Sequence, residues 1–363
     1  MRTPILGVGS VSACGCGADS LLAALQKSAH PRTSEEVICS ASDELSIPVY
    51  RADVKGLDRF IPRRALRRID RFNRMALLAS FLAVEDSGVS LEEKHRVGIV
   101  FGTGFGPLET TFAYQDTIID DSDKGASPTL FSGSVHNSPA SNASIFMGVR
   151  GPCLTITNFA RSTTEMLRTA QIWLDRGVVD YVLAGVGDEY HAVMGYALSA
   201  FGTTGTQLDP LRFDRCSYQP GEGFVVLLLG RGDRPGVCGT IDELSCGPSG
   251  EKLDQDLIDR CRAVLLSSNG DQSAGRSYQD LDLSGTLAAA YSPLYGSLPV
   301  GLGFDLALAA VCIREGQLYP LQTGKNTSAL DIISQTEPLD HEDRIGCLEC
   351  SADHVTLVTI TVD

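Results

Sequence analysis

The chain has 363 residues, 43% of them hydrophobic and 21% charged, with a formal net charge of −15. Such a balance describes a folded chain long enough for one large or two medium domains, and excludes a largely disordered one. The acidic excess argues against a nucleic-acid binder, and the lack of any run near 18 apolar residues argues against a membrane span.

The N-terminus enters a predicted strand, Ile5–Val11, without the apolar core and cleavage site of a secretory leader, so a cytoplasmic protein is expected. A Gly-Cys-Gly loop and an amphipathic helix over Ala18–Ser28 follow, and residues 29–58 read as irregular polar surface. A long helix is predicted over Arg63–Val84, opening in a stretch that holds seven arginines between Arg59 and Arg74. Arg63, Arg64, Arg67, Arg68 and Arg71 then form either a solvated face paired with local acids or a dock for an acidic partner.

A short strand, Arg96–Phe101, ends in Gly-Thr-Gly-Phe-Gly-Pro, where the backbone must approach something closely. A helix over Leu108–Ile118 and a Ser/Asn-rich segment, 127–151, lead to the central stretch. There a Gly151-Pro152 turn, a β-rich run (Leu154–Asn158), a tight corner and a helix over Ser162–Asp175 follow without a linker. This is how α/β enzymes present a nucleophile, because the helix N-terminus lowers a thiol's pKa. The corner itself is Phe159-Ala160-Arg161, and none of the three can attack a thioester.

Further strands are predicted at Tyr181–Val186, which runs into Gly-Asp-Glu, and at Gly223–Leu229, with Arg231–Gly236 as the best linker. The second half holds a strand (Gly239–Leu244), a helix (Lys252–Val264), a short strand ending at Ser268-Asn269-Gly270 and a small-residue helix (Gly303–Glu315). Strands Arg344–Cys350 and Val355–Val362 close it. Strands and helices alternate in both halves, which predicts α/β layers in domains 1–232 and 237–363. The eleven scattered cysteines read as reduced thiols. The close pairs Cys14/Cys16 and Cys347/Cys350 have zinc-like spacing, but packing as small hydrophobes is expected and no metal site is assigned.

Five stretches occur in order over nearly the whole chain. They are Arg68-Ile69-Asp70-Arg71 ahead of Glu85-Asp86-Ser87-Gly88; Gly102-Thr103-Gly104-Phe105-Gly106; Gly151-Pro152; Arg212-Phe213-Asp214 with Pro220-Gly221-Glu222-Gly223-Phe224-Val225-Val226; and Ile313-Arg314-Glu315-Gly316 with Pro320. Together they resemble the β-ketoacyl synthase (condensing enzyme) family. The resemblance implies a thiolase fold, two pseudo-repeated βαβαβαββ halves in five αβαβα layers, with 102–150 as a dimer-facing insertion. It implies edge-to-edge dimerisation through the strand before the nucleophile, here Leu154, Thr155, Ile156, Thr157 and Asn158.

The family's mechanism uses a cysteine to take the acyl chain and two histidines to decarboxylate malonyl thioester and stabilise the enolate. By resemblance the cysteine falls on Ala160, one histidine on Asn269 and the other on or near Gly296. The only histidines of the second half, His341 and His354, stand in other contexts, and the glycine-rich closing loop is replaced by Cys350-Ser351-Ala352-Asp353. With all three positions vacated, the chain by itself is not expected to be an enzyme.

This pattern is similar to the chain-length factor of type II polyketide synthases, of the Gram-negative aryl-polyene or anthraquinone type. That subunit pairs with an active ketosynthase and shapes the tunnel that receives the growing polyketide chain. The implied partners are the ketosynthase, an acyl carrier protein and the growing chain; no cofactor is implied beyond the phosphopantetheine arm that the carrier brings. The tunnel would be lined by Phe105, Leu108, Thr111, Phe112 and Gln115, with Leu130 and Phe131 from the segment crossing to the partner, although both phenylalanines of the first group also suit a plain core. Two alternatives stay open: a divergent condensing or acyl-transfer enzyme using Cys153 or another cysteine, and a noncatalytic homodimeric scaffold. Cys153 is expected to be packed, Arg161 to fill the vacated pocket or pair with a nearby acid, and His136 and His191 to be structural.

Overall fold

The structure is a computed structural model that describes residues 2–39, 44–205, 207–232, 236–249, 255–323 and 330–363. In chain order the first half runs β1 (Thr3–Ser12), β2 (Gly15–Cys16), α1 (Ala18–Lys27), β3 (Ser34–Cys39), β4 (Glu44–Val49), α2 (Arg63–Leu66), α3 (Arg71–Ser87) and β5 (Val97–Thr103). It continues with α4 (Leu108–Asp121), α5 (Pro128–Ser134), α6 (Ser138–Met147), β6 (Cys153–Thr157), α7 (Arg161–Asp175), β7 (Tyr181–Asp188), α8 (Ala192–Ala200) and β8 (Gly223–Gly230). The second half runs β9 (Thr240–Pro248), α9 (Gln255–Asp259), β10 (Ala263–Leu266), α10 (Gln272–Gln279), β11 (Leu287–Ala289) and α11 (Gly301–Glu315). It ends with β12 (Gln317–Leu318), β13 (Asp331–Ile332), β14 (Glu337–Pro338), β15 (Arg344–Cys350) and β16 (His354–Thr361).

One strand pattern occurs twice. The first half orders its strands β6-β5-β7-β8-β1 and the second β11-β10-β15-β16-β9, so each reads third, second, fourth, fifth, first along its own chain. The pairing senses also repeat: parallel about β5 and β10, antiparallel from β7 to β1 and from β15 to β9. The halves join where Thr3 and Pro4 pair with Ile241 and Thr240. Beyond that short contact β9 diverges, and helices fill the space between the sheets.

The apolar runs explain this layering. In β8, Phe224, Val226 and Leu228 face α3 and α6, while Val225, Leu227 and Leu229 face α7 and α11. A strand covered on both faces needs hydrophobic residues at every position. Helix α11 is buried from Gly301 to Ile313, as a helix between two sheets must be. Helices α9 and α10 cover the outer face of the second sheet, which gives five layers.

Three expectations need correction. Residues 34–49 form a hairpin, β3–β4, because Ile47 and Val49 find apolar cover against Tyr190. The predicted helix over Arg63–Val84 is broken: α2 is one turn after Pro62, and α3 starts afresh where Asp70 accepts a hydrogen bond from the Asn73 amide at 2.9 Å. The predicted helix over Lys252–Val264 stops at Asp259, because Ala263–Leu266 is a buried strand beside β15; its first residues, 252–254, lie outside the described residues. Residues 233–235 of the expected linker also lie outside them.

Candidate functional site

Strand β6 is the edge of the first sheet; it pairs with β5 alone among the described strands. At its end the chain turns through Phe159, whose φ of 44° is rare for a bulky L-residue, and Ala160 forms the N-cap of α7. Ser162 closes the corner: its Oγ accepts from the Asn158 amide at 2.8 Å and donates to the Thr103 carbonyl at 2.9 Å. The corner is thus strained and tied down, yet its apex carries a methyl group and no nucleophile.

Thr103 opens the glycine turn, and the turn's close neighbour is Asp188 at the end of β7. The buried Asp188 carboxylate accepts from Thr103 Oγ1 (2.7 Å) and from the amides of Gly104 (3.0 Å), Phe105 (2.7 Å) and Gly106 (3.2 Å). Burial pushes its pKa up to about 6, while these four donors pull the other way. The turn therefore wraps an internal carboxylate.

The two positions proposed for histidines come together, with a shift of register. Ser297 Oγ donates to the Asn269 carbonyl at 2.5 Å and accepts from the Gln219 amide at 3.0 Å. Gly296 cannot hold a side chain: its φ is 85°, and a Cβ would stand 2.8 Å from Gly221 Cα and Tyr50 Cβ. The hydroxyl beside the Asn269 backbone carbonyl belongs to Ser297, one position after Gly296.

Of the expected tunnel residues, Phe105 meets Phe159 edge-on at 5.7 Å, Phe112 stacks on His191 at 4.8 Å, and Phe131 meets Tyr114 at 5.5 Å. Thr111 Oγ1 donates to the Ser134 carbonyl, which ties α4 to α5. Leu108 and Leu130 are half-buried, Gln115 and Phe131 exposed. Both phenylalanines proposed as core, Phe105 and Phe112, are only half-buried. His191 caps α8 through Nδ1, and the ring of His136 lies against Gly106.

On β6, Leu154 is 43% exposed; Phe159 just after the strand, Phe131 in α5 and Val135 just after α5 are also exposed. Cys153 is exposed at the strand's start, contrary to the expectation of packing, because nothing described covers this edge. The desolvation that remains still pushes its thiol pKa up, which disfavours the nucleophilic thiolate. Burial likewise pushes Cys14 up to about 12 and Cys16 to about 11, and Cys347 and Cys350 are buried on β15. No group of three or more metal-ligating side chains forms among the described residues.

The arginine stretch divides. Arg63, Arg64, Arg67 and Arg68 are exposed, with Arg63 pairing to Asp58 at 2.8 Å. Arg71 is not part of such a face: it binds the fully buried Glu222, which Arg51 also binds at 3.0 Å.

Sequence reasoning missed a cavity of about 310 Å³ beside the corner. Arg161, Thr164 and Arg168, on one face of α7, oppose Cys246–Pro248 at the end of β9 and Asp353, His354 and Thr356 around the start of β16. Arg161 reaches Glu165 only at 3.9 Å, and Arg168 Nη2 donates to Cys246 Sγ at 2.8 Å. The loop between β15 and β16 is held by Ser351 Oγ against His354 Nδ1 at 2.5 Å, with Asp353 at 3.1 Å. A larger, open groove of about 1000 Å³ lies at the opposite ends of β9 and β16 and touches none of the vacated positions.

Buried acids besides Asp188 give the fold a pH signature. Glu189 Oε2 accepts from the Glu109 amide at 3.0 Å, while Oε1 has no hydrogen-bond partner among the described residues. Burial, reinforced by Glu109, Asp70 and Glu222, pushes its pKa up to about 8. Burial also pushes Asp305 in α11 up to about 8. A carboxyl raised in the folded state contributes stability in full below its unfolded pKa and loses it as pH rises through the folded value. Thermal stability should therefore fall from about pH 5 to about pH 8, and Glu189→Gln should flatten that slope in a pH series of melting curves. An unchanged slope would remove Glu189 as its source.

No helix of the described residues is long and apolar enough to cross a membrane. A family model described as "Beta-ketoacyl synthase, N-terminal domain" matches residues 37–234. The 3-oxoacyl-[acyl-carrier-protein] synthase 2 of Vibrio cholerae serotype O1 is 27% identical over 188 residues, 48% of this chain and 45% of that protein. The chain therefore spans less than half the length of the curated relatives of this kind. Among solved structures, the ketosynthase ApeO in complex with its chain length factor ApeC from Xenorhabdus doucetiae matches with a TM-score of 0.82, 16% identity and coverage of 99% and 98%. The ishigamide ketosynthase/chain length factor matches with 0.81, 16% identity and coverage of 100% and 99%. The repeated halves and five layers are those of the thiolase fold.

Proposed function

The chain belongs to the beta-ketoacyl synthase family, and on that premise we propose that it is a noncatalytic chain-length factor. It pairs with an active ketosynthase and shapes the space in which a carrier-bound acyl chain grows. The observation that carries this reading is Ala160 at the N-terminus of α7, in a corner that keeps its geometry without a nucleophile. Asn269 and Gly296, where the resemblance implies histidines, support it, since neither can shuttle protons as imidazole does. Two of the similar structures are described as containing a chain length factor.

The free edge of β6 is the natural place for the partner. An exposed edge strand offers unpaired N–H and C=O groups, and Leu154, Thr155, Ile156, Thr157 and Asn158 would pair there across an approximate two-fold axis. Phe159, exposed just after Asn158, adds apolar surface at the end of that strand. Arg63, Arg64, Arg67 and Arg68 would dock the acidic carrier protein, with Arg71 excluded by its bond to Glu222.

In this reading Phe112 limits product length, because truncating it opens space against His191. The test is reconstitution with the ketosynthase and carrier protein. Phe112→Ala should shift products to longer chains by mass spectrometry while the complex still forms on a sizing column. Unchanged product length would take Phe112 out of the chain-length surface; condensation independent of this chain would take away the function.

A further inference from the structure

We propose that the 310 Å³ cavity between α7 and the ends of β9 and β16 binds a small anionic group, a carboxylate or phosphate monoester, between Arg161 and Arg168. The inference does not depend on the chain-length reading. It rests on how the cavity is charged.

Arg161 and Arg168 are seven residues apart on one helix, so they project on the same side, and both line the cavity. Neither is neutralised closely. Arg161 meets Glu165 at 3.9 Å, a weak contact for two side chains that are 46% and 35% exposed. Among the described residues Arg168 has no carboxylate within ion-pair distance; its guanidinium faces the sulfur of Cys246 instead. A guanidinium is always charged and presents a fork of donors suited to carboxylate or phosphate oxygens. Against these cations the wall holds one carboxylate, Asp353, already bound to Ser351 Oγ at 2.8 Å and to His354 Nδ1 at 3.1 Å. His354 also faces the buried Glu349 at 3.7 Å.

The rest of the wall allows this. Thr164 and Thr356 satisfy each other across it at 3.1 Å, and Cys246 and Thr356 are directly paired in register, so the floor is rigid sheet. On a chain of net charge −15 a concave site with two loosely held arginines is an exception, and concave walls concentrate such a field.

Cys246 is a built-in reporter, and Cys153, exposed on β6, is an internal reference. Iodoacetate carries a negative charge and iodoacetamide none, so their rate ratio at each cysteine, mapped by peptide mass spectrometry on the full chain, reads the local field. The ratio at Cys246 should exceed that at Cys153 by about fivefold to tenfold, the effect of a unit charge a few ångströms away. Arg168→Gln and, separately, Arg161→Gln should each lower it toward the Cys153 value; two variants guard against one that misfolds. Malonate or inorganic phosphate should slow labelling at Cys246 alone: protection by malonate assigns a carboxylate ligand, and protection by phosphate assigns a phosphate monoester. Equal ratios at the two cysteines, or protection by neither anion, would overturn the proposal.

Discussion

Ala160→Cys leaves the isolated chain unable to condense acyl units. The substitution restores a thiol at the N-terminus of α7, where the helix end favours a thiolate. It adds no imidazole at Asn269 or Gly296, where the family resemblance implies the two histidines. Ser297 Oγ donates to the Asn269 backbone carbonyl at 2.5 Å, and Gly296 has no room for any side chain. Groups that act as a unit lose most of their effect when one is removed, so the variant should stay about four to six orders of magnitude below a working enzyme. Product formation from acyl- and malonyl-carrier thioesters measures this. Turnover by the single-chain variant would show that other groups do the work of the two histidines.

Glu222→Ala should be the most damaging single change to the fold. Its carboxylate is fully buried and binds Arg71 and Arg51, and also accepts from the Ala52 amide at 3.1 Å. These contacts join α3, the segment after β4 and the entry to β8. Removing one partner from a buried charged network costs about 3 kcal/mol or more, because the remaining charges lose their compensation. A urea titration should show this as a lower midpoint. Arg63→Ala, at an exposed pair with Asp58, should leave the midpoint nearly unchanged. Similar midpoints for the two variants would mean that Glu222 is not the fold's electrostatic hub.

The Glu222 network also shows what a sequence can and cannot convey. Gly-Glu-Gly-Phe-Val-Val is legible as a strand entry because β8 is apolar on both faces, and β8 lies where that reading expects it. The glycine turn is likewise legible as a close approach, but its target, Asp188, comes more than eighty residues later. The arginine stretch is misleading for a related reason. Arginine and leucine are good helix formers, so a continuous helix is expected; the break becomes visible only once Asp70 caps α3 and Arg71 meets Glu222.

Cys153 is exposed because its strand is the sheet edge, the place that the resemblance already implies for it, so the expectation of packing conflicts with that of edge-to-edge pairing. The cavity is less legible still, since Arg168, Cys246 and His354 share no local pattern and meet only because β9 diverges from β1 over α7. The positions read as vacated are the opposite case: Ala160 and Asn269 stand out because the residue types that the resemblance implies are missing there while the motifs around them are recognisable.

On the proposed reading this chain contributes shape while a partner contributes the nucleophile. The most direct measurement is to incubate the chain, co-expressed with its ketosynthase partner, with an acyl-carrier thioester and locate the acyl group by intact-protein mass spectrometry. A stoichiometric acyl adduct is expected on the ketosynthase and none on this chain. A stoichiometric adduct on this chain, at Cys153 or any other cysteine, would contradict that reading.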